Sequence, residues 1–336
     1  MNKVSLKDIA KDAGVSITTV SLVINNKSKK GRISDAVVER VKAVIKKHNY
    51  QPNIIARSLR TGKSTTIGLI LEDVSNNFFG TIYKTIEQTA YKSGYKLISA
   101  STDNDGQRAL DLIEMMEHQQ VEGLIITPTL SCKPIIEQLI KSNKPLVLFD
   151  RYFPGLNSNY VVLDNLKGAF EMTNHLIQKG YKNIAFITIT SPMNQMQNRL
   201  KGYKKALKDF TKKEFPSYVL EFPYESTNED KILLLDQFLK QNPKVDALFF
   251  GTNYLGILGI EYIRSKKLKV PGDYGLVSFD DHDLFKLMEP GISVVAQPIQ
   301  LLANESIKAL LHLIQGEGSQ LIQKNISPSL IFRKSV

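Results

Sequence analysis

Apolar residues recur at helical spacing in three short stretches near the amino terminus, then in buried-looking blocks from residue 66 onward. Ser5 and Asp8, three apart, have the form of a capping box, and Ile9, Ala10 and Ala13 follow on one helical face. Gly14 can take the left-handed turn that ends this helix. Val15 is placed to interlock, and Ser16 to N-cap a second helix over 17–24 with Val20, Val23 and Ile24 facing inward. Asn25-Asn26 ends it, a basic loop carries Lys27, Lys29, Lys30 and Arg32, and Ser34 opens a third helix. That helix has Val37, Val41, Val44 and Ile45 on one stripe and closes near Tyr50. After Pro52, Asn53 can cap a helix over 54–60 that is too short to be stable alone.

Beyond residue 65 the pattern changes period. Candidate strands at 67–71, 96–100, 123–127, 146–149, 184–187, 247–250 and 276–279 alternate with helical patterns at 81–93, 108–119, 168–179, 199–209, 232–240 and 255–265. Short apolar strands joined by helices imply βαβ units and parallel sheets. Gly94, Gly180 and Gly272 fall after helices, where a C-cap glycine belongs. The pattern restarts near Asp164, which predicts two lobes, and the tail adds a strand at 294–296 and a long helix at 301–315.

Charge divides the chain at the same place. Up to Thr65 there are 14 lysines and arginines against four acids, which is +10 of the chain's net +11. Concentrating charge on one small helical module is the footprint of phosphate binding, while the nearly neutral remainder needs another task. A length of 336 residues exceeds one comfortable core. The single cysteine, Cys132, allows no internal disulfide and fits a reducing, cytoplasmic setting. The first residues lack the apolar core of a signal peptide, and no run approaches a membrane span. Gly62-Lys63-Ser64 resembles the end of a phosphate loop, but Arg57 stands where that loop needs glycine. No nucleophile elbow, HExxH pattern or Cys/His cluster is present, and the five histidines are scattered, so the expectation is no enzyme, no metal and no cofactor.

The run from Val4 through Asp8-Ile9-Ala10, Ala13-Gly14-Val15-Ser16, Thr19-Val20-Ser21 and Val23-Ile24-Asn25 closely resembles the lac repressor family. So does the continuation Tyr50-x-Pro52-Asn53-x-x-Ala56-Arg57-x-Leu59, and the likeness extends over essentially the whole chain. It implies a small all-α helix-turn-helix DNA-binding domain (1–52), a hinge helix and linker (53–65), and a core over 66–336. That core is expected to be an α/β, two-lobed, periplasmic-binding-protein-like unit with parallel sheets. Its N-lobe is expected at about 66–163 plus 293–325, and its C-lobe at about 164–292 plus 326–336.

The resemblance also implies a function: a cytoplasmic, homodimeric transcriptional repressor on a pseudo-palindromic double-stranded operator, controlled by a small-molecule effector, a monosaccharide above all. Relatives that use the effector as corepressor, or a phosphorylated carrier protein, leave the sign of control open. Residues expected at DNA are Ser16, Ile17, Thr18, Thr19, Ser21, Leu22 and Asn25 in the reader, with Asn53, Ala56, Arg57 and a wedging Leu59 in the hinge. An apolar Leu22 favours thymine methyl contact over guanine, since it offers no donor.

At strand ends of the core, Asn76, Phe78, Phe79, Asp150, Arg151, Arg199, Asn253, Asp280 and Gln297 resemble the ligand shell of ribose-type binding proteins. Aromatic faces suit the apolar side of a sugar ring, and amides, carboxylates and guanidiniums suit its hydroxyls. Asn77 and Tyr254 depart from the family, standing where proline and an acid are usual.

Overall fold

The structure, a computed structural model, describes residues 4–50, 64–210, 216–316 and 320–336. Contacts divide it into two units, Met1–Ser64 and Thr65–Val336. Among the described residues no helix is long and apolar enough to cross a membrane.

In the first unit, α1 (Leu6–Ala13), α2 (Ile17–Ile24) and α3 (Asp35–Lys47) close around Ile9, Ala10, Ala13, Val20, Val23 and Val41. The start of α1 is fixed by a reciprocal cap: Ser5 N donates to Asp8 Oδ2 (2.9 Å) and Asp8 N donates to Ser5 Oγ (3.3 Å). Gly14, at φ +64°, makes the turn at the other end. His48 and Asp12 join the far ends of α3 and α1 at 2.6 Å. The hinge positions Asn53, Ala56, Arg57 and Leu59 lie outside the described residues.

The second unit holds two six-stranded sheets. The N-lobe sheet contains β1 (Thr66–Leu71), β2 (Lys96–Ser101), β3 (Gly123–Ile126), β4 (Leu146–Phe149), β5 (Tyr160–Leu163) and β11 (Gln323–Ile326). Its order is β11-β5-β4-β3-β1-β2, all parallel. The C-lobe sheet contains β6 (Ile184–Ile189), β7 (Tyr218–Phe222), β8 (Ala247–Phe250), β9 (Gly275–Phe279), β10 (Ser293–Ala296) and β12 (Ser329–Ile331). Its order is β12-β10-β9-β8-β6-β7, with only the β10–β12 pair antiparallel. Strands such as β3, β4 and β8 are buried at every residue because helices cover both faces, which explains their unbroken apolar runs.

The helices of this unit are α4 (Asn77–Lys92), α5 (Gly106–His118), α6 (Lys133–Lys141), α7 (Asn165–Gln178), α8 (Asn194–Phe210), α9 (Asn228–Gln241), α10 (Asn253–Ser265), α11 (Asp283–Leu287) and α12 (Ile299–Gln315). A continuous apolar cluster, including Ile67, Phe149, Phe186 and Phe279, runs through both lobes.

One expected boundary is corrected. Residues 293–296 do not belong to the N-lobe: β10 pairs in parallel with β9, Val295 opposite Phe279, and so extends the C-lobe sheet. The chain crosses only afterwards, at Gln297-Pro298, and α12 then packs on α4, where Thr85 Oγ1 donates to Gln300 Oε1 (3.1 Å). It crosses back after Ile326, which still pairs with Leu163 of β5. Gly94 and Gly180 do take the left-handed conformation after helices, at φ +82° and +98°.

Candidate functional site

In the amino-terminal unit, the second helix carries polar residues from its N-cap, Ser16, to its C-cap, Asn25. Ser16 Oγ accepts from Thr19 N (3.1 Å), so this hydroxyl serves the cap as well as the surface. Ile17, 49% accessible, and Thr18 are exposed. Asn25 donates to Ser21 O at 2.7 Å, closing the last turn. Leu22 departs from expectation. It is half-buried rather than exposed, and a Cβ placed on Gly31 would lie 2.7 Å from its Cδ1. Its side chain therefore rests against the backbone of the basic loop, where glycine leaves room for it.

In the core, strand ends from both sheets converge on one cleft. Its lining includes all nine of the residues singled out above, with an open volume of about 620 Å³. The convergence follows from the fold: side chains at carboxyl ends of parallel strands meet beyond the sheet, and two lobes turn that edge into a cavity. Asp150 follows β4 and Asp280 follows β9, and both sit at φ +67°. Aspartate tolerates this left-handed backbone, which ends each strand abruptly.

The C-lobe side is organised by Arg199 on α8, which is 3% accessible. Its Nε donates to Asn165 Oδ1 (2.8 Å), its Nη1 to Gly251 O (2.7 Å) and Asp280 Oδ2 (3.3 Å), and its plane lies 3.8 Å over the Phe279 ring. Gln297 Nε2 holds the other Asp280 oxygen at 2.6 Å. Asn253 is buried, with Oδ1 accepting from Tyr254 N (2.8 Å).

On the N-lobe side, Asn76 caps α4 by accepting from Phe78 N (3.0 Å), and Phe78 and Phe79 meet edge to face at 4.9 Å. Arg151 binds Glu72 through Nη2 and Asn104 Oδ1 through Nη1 (3.2 Å). Asp150 is pushed up to about 6, first by burial, with the Arg151 and Arg199 charges opposing the shift. Across the lobes, Tyr152 N donates to Asn194 Oδ1 (3.0 Å), and Tyr224 and Asn104 both line the cleft.

Sequence reasoning missed several lining residues. Glu72 directly follows β1, where the same strand-end logic finds it. Tyr224 follows β7 and Asn104 follows β2. Asn104 was findable from an expected strand, whereas Tyr224 was hidden because β7 was not expected: TYR-VAL-LEU-GLU-PHE is half-exposed and breaks the apolar run. Tyr254 drew notice only as a departure from pattern, yet it lines the cleft at 43% accessible.

Two family models match the chain: "Bacterial regulatory proteins, lacI family" over residues 5–53, and "Periplasmic binding protein-like domain" over 173–336. The Haemophilus influenzae ribose operon repressor is 30% identical across 99% of this chain and 98% of its own length. Among solved structures, the lac repressor dimer bound to operator and the anti-inducer ONPF aligns with TM-score 0.82 at 23% identity, over 99% of both chains. A transcriptional regulator CelR–cellobiose complex aligns with TM-score 0.70 at 26% identity, over 99% of this chain and 100% of its own. The chain belongs to the lacI family of bacterial regulatory proteins, and is a DNA-binding transcriptional repressor under small-molecule control rather than an enzyme.

Proposed function

We propose that this repressor acts in the cytoplasm as a homodimer on a pseudo-palindromic operator, and that a sugar bound in the core cleft sets its affinity for that DNA. The observation that carries the sugar reading is the convergence of Asn76, Phe78, Phe79, Asp150, Arg151, Arg199, Asn253, Asp280 and Gln297 on one cavity built from both lobes. Aromatic faces beside paired carboxylates, amides and guanidiniums match a ring with one apolar side and a rim of hydroxyls. Two-fold symmetry of the protein would match two half-sites, which the dimeric, operator-bound lac repressor structure supports.

In this reading Ile17, Thr18 and the hydroxyls of Ser16, Thr19 and Ser21 meet base edges and phosphates, and Asn25 closes the reading helix. Leu22 meets a thymine methyl only with its outer edge, since Gly31 takes the rest. Asn53, Ala56, Arg57 and Leu59 form the minor-groove element. Because ligand and DNA bind one molecule, their coupling is reciprocal: whatever the sugar does to operator affinity, operator does to sugar affinity. A thermal-shift screen of pentoses and hexoses, followed by operator titration with each hit, tests this. Stabilisation by a sugar that also changes operator affinity is the expected result; no sugar acting on either overturns it.

A further inference from the structure

Charge in the core cleft is balanced inside the protein. Among the described residues, its charged lining consists of Arg151 and Arg199 against Glu72, Asp150 and Asp280, a net −1 with all ionised. Neither guanidinium is free. Arg151 is held by Glu72 through Nη2 and by Asn104 through Nη1, with Asp150 Oδ2 3.4 Å from its Nε. Arg199 is held by Asp280, Asn165 and Gly251 O. An anionic ligand would meet guanidiniums whose charge carboxylates already neutralise, with Arg151 Nε the unbonded donor and Asp150 Oδ2 3.4 Å from it. Displacing a carboxylate would leave Asp280, 14% accessible, or the half-buried Glu72 unpaired, and an uncompensated charge is costly where it is partly buried.

The unmet groups are of a different kind. Among the described residues Arg151 Nε and Gln195 Oε1 are buried with no hydrogen-bond partner, and the Asp150 carboxylate, 11% accessible, lies 3.4 Å from Arg151 Nε. One donor and two acceptors in one cavity are satisfied by hydroxyl groups, which both donate and accept. The half-buried Phe78 and the more exposed Tyr224 and Tyr254 line the cleft and supply apolar faces for C–H groups. A fully ionised phosphate or carboxylate group supplies acceptors only, and cannot serve the ionised Asp150.

We propose that Glu72 is a specificity-determining residue: by holding Arg151, it makes the cleft select an uncharged polyhydroxy ligand and reject phosphorylated and acidic analogues. This rests on the sugar-effector reading. Specificity of this type comes from a repulsive element as much as from new contacts. Glu72 provides that element without needing to touch the ligand, because it removes the one cation at the N-lobe wall that an anion would use.

The test is a melting and calorimetry panel of matched neutral and anionic probes: ribose with ribose 5-phosphate, glucose with glucose 6-phosphate and gluconate, and cellobiose. The wild type, Glu72→Gln and Glu72→Asp are compared, with operator titration beside each. The wild type is expected to be stabilised by at least one neutral member, and to bind that sugar at least about 100-fold more tightly than its anionic partner. Glu72→Gln should shrink this ratio at least tenfold, while Glu72→Asp, which keeps the carboxylate, should retain most of it.

An anionic probe that binds the wild type as well as its neutral partner, or a ratio unchanged in Glu72→Gln, overturns the assignment and leaves the sugar reading standing. Should no probe of either kind shift melting or operator affinity while operator binding stays sequence-specific, the sugar reading falls and the assignment with it. If Glu72→Gln does not fold, Glu72→Ala takes its place with the same expected tenfold fall in the ratio, and an unchanged ratio overturns the assignment.

Discussion

The two units treat charge in opposite ways. The amino-terminal unit leaves its cations at the surface: Lys27, Lys29, Lys30 and Arg32 stand in an exposed loop that follows α2. The cleft of the core buries its cations, with Arg151 and Arg199 each 3% accessible, and answers each with a carboxylate. The contrast follows from what each must recognise. A duplex is a long polyanion whose counterions are released by unpaired lysines and arginines, so exposed charge produces affinity there. A small ligand in a low-dielectric cleft meets groups that must already be paired, so affinity comes from fixed geometry and specificity from which pairs are left incomplete.

Four changes would break or sharpen that contrast. The largest effect is expected for Arg199→Ala, which strands Asp280 and removes the group tying it to Asn165 and Gly251. Breaking a buried ion pair from one side costs about 3–5 kcal/mol, so denaturant unfolding of the core should shift by that order and ligand stabilisation should vanish. Arg199→Lys should not restore it, because an ammonium cannot reproduce the planar fork stacked on Phe279.

Next is Ile9→Ala, which empties the centre of the small helical core. A loss of about 2–5 kcal/mol is expected, enough to unfold that unit and abolish operator binding. The melting of the core, and any ligand shift of it, should be unchanged, which circular dichroism and ligand titration read separately.

Third is Asp150→Asn. The folded protein raises this carboxyl to about 6 from its ordinary 3.8, so the native state keeps a proton that the unfolded chain gives up. Stability therefore falls as pH rises from about 4 through 6, by up to about 3 kcal/mol at neutral pH. The variant removes that loss. Its advantage over the wild type without ligand should be larger at pH 7.5 than at pH 5, by about 1 kcal/mol, in paired melting curves. Ligand binding should weaken in the same variant.

The smallest is Gly31→Ala, whose added methyl meets Leu22 Cδ1 at 2.7 Å. The leucine is the flexible partner and can yield, so about 1 kcal/mol is expected, with an altered base preference in DNA selection where Leu22 reaches the groove. An unchanged preference would separate Leu22 from base reading and leave it a packing residue.

Legibility in the sequence tracked how local each signal was. The helix-turn-helix was readable nearly to the residue, because Ser5, Asp8, Gly14 and Ser16 act within one turn of where they stand, and α2 spans the expected Ile17–Ile24. Most buried parallel strands were readable from apolar runs, as at β4 and β8, though the equally buried β5 was not expected. Of the edge strands β2 was expected, but β7, β11 and β12 were not, and these carry half-exposed, polar-interrupted sequences such as Gln323–Ile326. The lobe assignment of 293–296 failed for a related reason, since only pairing with β9 tells which sheet a short strand joins. In the cleft, residues flanking expected strands were found, while the Glu72–Arg151 bond joins positions 79 residues apart and has no trace in either one's neighbourhood.

The most direct measurement is an operator titration over a series of salt concentrations, repeated with a stabilising neutral sugar. The expected result is sequence-specific binding whose affinity falls steeply with salt, and a change in that affinity on adding the sugar, with the sugar's own binding nearly indifferent to salt. Equal binding to every duplex, untouched by any carbohydrate, would contradict the division of labour between an exposed cationic reader and a charge-paired cleft.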